Sequence, residues 1–217
     1  MPGELIKHRN SRAVFAPQYF GSVDYYALLS SFGKVYVNID LRADKRFKSA
    51  HRCKIVDTRD EIMLTVPVVH ASGKQSWNDI AVSAHGCWWS NHLTALESAY
   101  GRTPFFDYYI DRFRPIFEKK YDSGEISVGQ LDCQCDKIIR EILGIDNEVV
   151  YGSPDEHIDF DFSHEKEIRL CTEPYYQIRS QELGFRYNLS ILDLIFNVGP
   201  ESPLYLHKTQ NSVLKTR

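Results

Sequence analysis

The sequence predicts a mixed α/β fold with some α+β character. It would be one domain over residues 1–217, in which a partly parallel, mixed sheet packs against a block of three helices and a buried C-terminal helix. Three observations predict this. Strand and helix patterns alternate over residues 13–41, apolar residues recur at helical spacing over residues 88–143, and residues 190–198 are apolar on every side of a helix. A length of 217 residues fits a single domain.

The first predicted unit is strand, helix, strand. Residues 13–16 favour a short strand, Ser22 can cap a helix whose apolar stripe runs over residues 25–32, and Gly33 can end it. The β-branched and aromatic residues of 35–41 predict the second strand. Units of this kind are normally right-handed and place their two strands in parallel.

A hairpin is predicted next. Residues 52–56 and 61–66 flank the turn sequence DTRD, and residues 80–83 are a weaker strand candidate. Together with the first unit, these strands would make a mixed sheet.

Three helices follow, each with its own start signal. Residues 88–100 have helical apolar spacing. A second helix is capped by Thr103, opens at Pro104 and should kink or restart at Pro115, and a third opens at the capping-box pair Ser127 and Gln130.

Further strands are predicted at residues 148–151, 157–163 and 175–180, before the C-terminal helix. Ser190 and Asp193 have the spacing of a capping box at the start of that helix.

The strand at residues 157–163 would place His157, Asp159 and Asp161 on one face, where they offer nitrogen and oxygen ligands for a divalent ion. Polar alternation is also what a strand with one wet face shows, and we favour that explanation. No metal site is therefore predicted.

Charge and composition exclude several classes of protein. The chain has 26 basic and 29 acidic residues and a net charge of -3, which disfavours general nucleic-acid or membrane-surface binding. No apolar run reaches the roughly 18 residues of a spanning helix, and the first residues lack a signal-peptide pattern. Five cysteines without a disulfide-framework pattern favour a reducing compartment, so we predict a cytoplasmic protein.

Several common cofactor motifs are absent from the sequence: the phosphate-binding P-loop, the dinucleotide-binding glycine pattern, the nucleophile elbow and zinc-like cysteine spacing. Activation of a carboxyl group by ATP on a P-loop is thus not predicted. The cofactor stays unknown at this point.

Motifs spread over most of the chain carry a resemblance. PQYF stands at residues 17–20, RCKI at 52–55, LTVPV at 64–68, and WWSNHL followed by YGRTPFF within 88–106. Residues 176–201 add a pattern that contains Asn-Leu-Ser-Ile-Leu-Asp-Leu and Asn-x-Gly-Pro-Glu. In this order the motifs resemble the WbqC-like protein family. The resemblance implies a protein of surface-polysaccharide or O-antigen biosynthesis, and the activity proposed for some members is transfer of glycine to a sugar.

The most basic part of the chain is residues 42–54. Following a strand, it could hold a diphosphate or a carboxylate, because the guanidinium fork of Arg bonds two oxygens at once. Arg46, Arg52 and Lys54 are the predicted contacts. A solvated loop is the alternative.

Four further residues are site candidates. Gln18 and Tyr19 follow the first strand, where open α/β sheets bind ligands, although an aromatic turn would look the same. His92 could be a general base, but it also lies on the apolar stripe of its helix and could be a buried core histidine. Asn188 has no capping role to explain it and is predicted to contact ligand.

The resemblance and these residues together predict an acyltransferase that moves glycine or another aminoacyl group to an amino sugar or sugar nucleotide. The alternative is a non-catalytic protein of the same pathway that binds a sugar nucleotide or serves as a scaffold, so enzymatic activity stays open. A sugar nucleotide or other phosphorylated small molecule is the predicted partner. The oligomeric state is not predicted.

Overall fold

The computed structural model describes residues 8–44, 46–69, 74–170 and 174–214. Within these ranges the strands form a four-stranded sheet and a two-stranded sheet. The strands are β1 (His8–Phe15), β2 (Phe32–Val37), β3 (Arg52–Val56), β4 (Glu61–Thr65), β5 (Glu148–Tyr151) and β6 (Phe160–Phe162). The α-helices are α1 (Val23–Leu29), α2 (Trp88–Tyr100), α3 (Phe106–Phe117), α4 (Val128–Leu143), α5 (Ser180–Leu183), α6 (Ile191–Val198) and α7 (Ser202–Leu214).

The larger sheet has the order β5-β2-β1-β6, and every neighbouring pair is parallel. The predicted strand–helix–strand unit is therefore confirmed, with Ser22 as the N-cap of α1. Its boundaries differ, because α1 ends at Leu29 and Gly33 lies inside β2. The Asn147 amide explains the early end: its Nδ2 donates to the carbonyl oxygens of Leu29 and Phe32, a contact made from 115 or more residues away.

The predicted hairpin is also confirmed, since β3 and β4 pair antiparallel from Arg52 opposite Thr65 to Val56 opposite Glu61. It forms its own small sheet and does not extend the parallel one. The weak candidate at residues 80–83 makes only isolated bridges within the described chain, from Ala81 to Ser127 and from Val82 to Val68.

The three-helix block is present as α2, α3 and α4. At the start of α4, Ser127 Oγ accepts from the Gln130 amide at 3.1 Å and Gln130 Oε1 accepts from the Ser127 amide at 3.0 Å, so the capping box is confirmed. Thr103 does not cap α3; its hydroxyl donates to the Tyr100 carbonyl at the end of α2. Pro115 lies inside α3 and does not end the helix.

The strand predicted at residues 175–180 is wrong. The polar groups of this segment bond to side chains of α6 and not to a neighbouring strand: the Ile178 amide donates to Asn197 Oδ1 at 2.9 Å, and the Tyr175 hydroxyl donates to Asp193 at 2.6 Å. Residues 157–159 lie outside β6, so the longer strand predicted there is corrected as well.

The predicted buried C-terminal helix is α6, in which every residue is buried. Its Phe196 ring contacts the rings of Tyr100, Phe106 and Phe113, which belong to α2 and α3. Helix α6 thus joins the helical block to the rest of the core. No helix in the described part of the chain has the length and apolar character needed to cross a membrane.

Candidate functional site

The carboxyl ends of the parallel strands form one edge of the larger sheet. From β1 the chain moves to β2 on one side, whereas β6 pairs with β1 on the other side, so the strand order reverses at β1. Open α/β sheets bind ligands outside the carboxyl ends of their strands at such a reversal. This edge is where a ligand site is expected.

A cleft of about 570 Å³ contains residues from the chain that follows β2 and from the chain that follows β6. We call it the basic cleft. Its lining residues are Leu41, Arg42, Ala43, Asp44, Arg46, Phe47, His164 and Lys166. Two arginines and one lysine thus face a single carboxylate among these lining residues, which gives the cleft a positive charge suited to an anion.

Arg46, a predicted ligand contact, lines this cleft and is held by Asp44. Its Nε donates to Asp44 Oδ2 at 2.7 Å and its backbone amide donates to Asp44 Oδ1 at 2.9 Å. These hydrogen bonds hold the pKa of Asp44 at about 2, well below its usual value. The Arg46 side chain is 68% exposed, so the guanidinium can turn to an anion in the cleft at little cost. Lys45, part of the basic stretch, lies outside the described residues.

A second cleft of about 780 Å³ contains residues of α1, the hairpin, and the chain before and after α5. We call it the mixed-charge cleft. Its lining residues are Asp24, Lys54, Glu61, Glu167, Arg169, Leu170, Pro174, Phe185, Arg186, Tyr187 and Asn188. Two predicted contacts, Lys54 and Asn188, are brought together here. Lys54 pairs with Glu61 at 3.1 Å, and Asn188 Nδ2 donates to Glu167 at 2.6 Å.

The predicted diphosphate contacts are therefore divided. Arg46 lines the basic cleft and Lys54 the mixed-charge cleft, while Arg52 lines neither of these two clefts. Arg52 lies instead against the half-buried His51, with its Nε 3.3 Å from His51 Nε2. Burial and the Arg52 charge lower the pKa of His51 to about 4, so His51 is neutral near pH 7.

His92 and Tyr19 form a buried pair. The Tyr19 hydroxyl lies 2.9 Å from His92 Nδ1, and His92 is only 5% exposed. Burial lowers the pKa of His92 to about 4, against the opposing effect of a hydrogen bond with the Thr65 backbone. A ring that donates to Thr65 accepts from Tyr19, so the neutral imidazole is satisfied on both sides. Trp88 closes the cluster, with its ring 5.4 Å from that of His92.

Neither His92 nor Tyr19 lines the basic or the mixed-charge cleft, and the catalytic role of His92 stays a prediction. Gln18 is half-buried, and its side chain packs against Gly21, 3.1 Å from where a Cβ of that glycine would stand. Gln18 lines neither of the two clefts, and its contact with a ligand stays a prediction.

The polar residues of α6 serve the fold. Ser190 Oγ donates to the Phe20 carbonyl at 2.8 Å and accepts from the Leu192 amide at 3.3 Å. Asp193 does not complete a capping box, which corrects that prediction. Its carboxylate accepts from Tyr175 at 2.6 Å and from Gln177 at 3.0 Å, and burial raises its pKa to about 6.

The polar residues around β6 do not form a shared face. Asp159 accepts from the Arg12 amide and Asp161 accepts from Ser163, while His157 lies 3.8 Å from Asp159. Over the residues that the structure describes, no group of three or more His, Cys, Asp or Glu side chains is arranged to hold a metal ion.

Sequence reasoning missed several lining residues. His164, Lys166, Glu167 and Tyr187 reach the two clefts, yet none was singled out. A signal was available for the first three, because a charged run directly follows a strand end at residues 164–167. Tyr187 gave no such signal.

Comparison with known proteins assigns a family. No curated protein and no solved structure shows significant similarity to the chain. The model of the WbqC-like protein family matches residues 16–173, which include the whole lining of the basic cleft and part of that of the mixed-charge cleft. Because this match spans well over half of the 217 residues, the chain belongs to the WbqC-like protein family.

Proposed function

We propose that this protein binds a phosphorylated small molecule, in the first place a sugar nucleotide, in the basic cleft. The observation that supports the proposal is the convergence of Arg42, Arg46 and Lys166 on one cleft beside the carboxyl ends of parallel strands. Arginine forks bond phosphate oxygens in pairs, and a cleft of about 570 Å³ has the volume of a typical small-molecule site.

The setting in the proposal is the synthesis of a surface polysaccharide such as O-antigen, as the family resemblance implies. A cytoplasmic location belongs to the same proposal. In its support, Cys53, Cys87, Cys133 and Cys135 are free thiols, which suits a reducing compartment.

Thermal unfolding in the presence of candidate ligands tests the binding proposal. We would compare uridine and thymidine diphosphate sugars, the free nucleotides and inorganic phosphate. At a hundred times its dissociation constant, a ligand should stabilise the wild type by about 2.7 kcal/mol, which corresponds to a shift of several degrees. Arg46→Gln removes one charged hydrogen-bonding group from the cleft and should weaken binding about tenfold or more.

The matched control is Arg102→Gln, which changes an exposed arginine just beyond the end of α2. It should bind as the wild type does. If no phosphorylated compound shifts the wild type, or if both variants behave alike, the basic cleft is not the phosphate site and the proposal fails.

A second candidate function is acyl transfer between two bound substrates. Lys166 lines the basic cleft and Glu167 lines the mixed-charge cleft, although the two residues are adjacent in the chain. The same stretch of chain therefore forms part of the wall of both clefts, and ligands bound in them would lie on either side of it. In the reaction that the family suggests, an amine forms a bond to an activated acyl carbon, the donor's leaving group departs with its electron pair, and a base takes the proton.

His92→Gln tests whether His92 is that base, in an assay for aminoacyl transfer to amino sugars from activated donors. Loss of proton transfer should reduce kcat about 100-fold or more, with the ligand-induced thermal shifts retained. Tyr19→Phe is the control, because it removes the hydrogen bond to the ring and keeps the imidazole. Equal kcat values for the wild type and both variants would exclude His92 as the base. If none of the donors yields a product, acyl transfer is excluded and only the binding function remains.

A further inference from the structure

We infer that the mixed-charge cleft is a second ligand site and that it takes an uncharged, hydroxylated ring, of the kind that a sugar presents. This inference goes beyond the proposed function, because it assigns a separate ligand to a different cleft. It rests on an exposed aromatic ring, on polar groups beside that ring, and on the charge balance of the cleft.

The aromatic ring is that of Tyr187, which lines the cleft and is 55% exposed. Two further aromatic rings hold it in place. The Phe185 ring packs edge-on against it with 4.7 Å between ring centroids, and the Tyr175 ring packs edge-on against Phe185 with 5.2 Å between centroids. An aromatic ring fixed in this way at a cleft wall offers a flat apolar surface at little cost in side-chain entropy. The C–H face of a pyranose ring fits such a surface.

Polar acceptors stand next to the ring. Glu167 accepts from Asn188 at 2.6 Å and from Arg169 at 2.9 Å, and a carboxylate has capacity for about four hydrogen bonds. Hydroxyl groups of a ligand are donors that can complete the remaining hydrogen bonds of the exposed Glu167 carboxylate.

The backbone of Asn188 fixes the direction of its side chain. Its φ is +54°, in the left-handed region, which Asn adopts more readily than most residues that carry a side chain. Here the conformation places Asn188 between Glu167 and Tyr187 in the wall of the cleft.

Charge balance favours a neutral ligand. Three carboxylates and three cations line the cleft, and each of the cations is already paired. The pairs are Lys54 with Glu61 at 3.1 Å, Arg169 with Glu167 at 2.7 Å, and Arg186 with Asp60 at 3.1 Å. A phosphate would have to compete with these carboxylates, whereas in the basic cleft it faces an excess of cations. A volume of about 780 Å³ accommodates one or two sugar rings.

Saturation-transfer NMR on the full chain tests the inference. The probes are the methyl glycosides of glucose, galactose, mannose and N-acetylglucosamine, titrated to obtain dissociation constants. We expect at least one glycoside to bind the wild type through its ring protons. Tyr187→Ala should weaken that binding about tenfold, the equivalent of about 1.4 kcal/mol, while Tyr187→Phe keeps the stacking surface and should remain within about threefold.

Tyr108→Ala is the matched control, because Tyr108 is 74% exposed on α3 and does not line the mixed-charge cleft. It should bind as the wild type does. Asn188→Gly removes the amide, tolerates the positive φ, and should also weaken binding.

The inference is overturned if no glycoside binds the wild type, or if Tyr187→Ala and Tyr108→Ala have the same affinity. Inorganic phosphate, measured on the same samples, reports on the basic cleft. Phosphate binding that persists in Tyr187→Ala while glycoside binding is lost separates the two sites. If the wild type binds a glycoside but does not bind phosphate, the result counts against the basic cleft and not against the mixed-charge cleft.

Discussion

The α6 region and the two clefts use polar side chains in opposite ways. Asp193 is 2% exposed, and Asn197 beside it in α6 is buried as well, with both side chains bonded inside the protein. Arg46 is 68% exposed, and Glu61 and Arg169 are likewise exposed, in ion pairs that water can replace. The buried polar residues around α6 thus serve the fold. Most of the charges that could hold a ligand lie elsewhere.

Hydrogen bonds in the α6 region show why its polar residues are specific. Asn197 accepts from the Ile178 amide and donates to the Asp193 carbonyl, while Gln177 Nε2 donates to both Asp193 and the Arg186 carbonyl. Each of these buried groups would cost about 1–3 kcal/mol if its partner were removed. Substitution in this region should therefore affect folding first, and substitution in the clefts should affect binding first.

Among the variants considered, Gly199→Ala should cause the largest loss of folding stability. Gly199 has φ +54°, and a Cβ there would stand 2.4 Å from the Phe105 ring. We expect the free energy of unfolding to fall by about 3 kcal/mol or more, since both the backbone and the packing must give way. Urea unfolding measures it.

Gly86→Ala serves as its control, because Gly86 has φ +72° but no described atom within 4 Å of the added Cβ. Its free energy of unfolding should fall by about 1–2 kcal/mol, because only the unfavourable left-handed backbone conformation of the new Ala contributes. Equal losses in the two variants would show that the contact with Phe105 relaxes freely and that the α6 region is less rigid than its packing indicates.

The next largest effect is the pH dependence that Asp193 creates. Burial raises its pKa from 3.8 to about 6, so the folded state holds the proton more tightly than the unfolded chain. The stabilisation is fully present below pH 3.8 and is lost as pH rises through 6. The wild type should therefore lose stability relative to Asp193→Asn progressively between these two pH values, and the loss should reach about 3 kcal/mol above pH 6.

Urea unfolding of the wild type and Asp193→Asn at pH 4, 5, 6 and 7.5 measures this difference. Asp146→Asn, at an exposed position after α4, should follow the wild type at every pH. Parallel stability profiles for the wild type and Asp193→Asn would mean that Asp193 titrates as an exposed carboxylate does, which would remove the contrast with the clefts.

The smallest effect on stability is expected for Arg46→Gln, the variant that should most affect phosphate binding. Its pair with Asp44 is exposed, so the free energy of unfolding should change by less than about 1 kcal/mol. A loss as large as that of Gly199→Ala would make the basic cleft a structural element and would break the distinction between the two regions.

Local signals in the sequence were sufficient for much of the fold. The N-cap at Ser22, the capping box of α4 and the hairpin are confirmed, because each depends on residues close together in the chain. The end of α1 was predicted too late because it depends on Asn147, and the strand at residues 175–180 was wrong because its partners are in α6. Contacts across a hundred residues leave no local pattern.

The candidate site was predictable to a smaller extent. Arg46, Lys54 and Asn188 were selected and do line clefts, but the sequence could not show that they belong to two different ones. Tyr187 escaped notice because a single aromatic residue among polar ones has no periodicity. Its exposure becomes meaningful only when the fold places it beside Glu167.

The segment at residues 164–170 forms part of the wall of both clefts. It contains no regular helix or strand, and a hydrogen bond from the Leu170 amide to Asp24 ties its far end to α1. If both clefts bind a ligand as proposed, a ligand that shifted this wall from one side would change the affinity of the other cleft, and thermodynamic linkage would make that coupling equal in both directions. The sign of the coupling would depend on whether the first ligand moved the segment toward the second cleft or away from it.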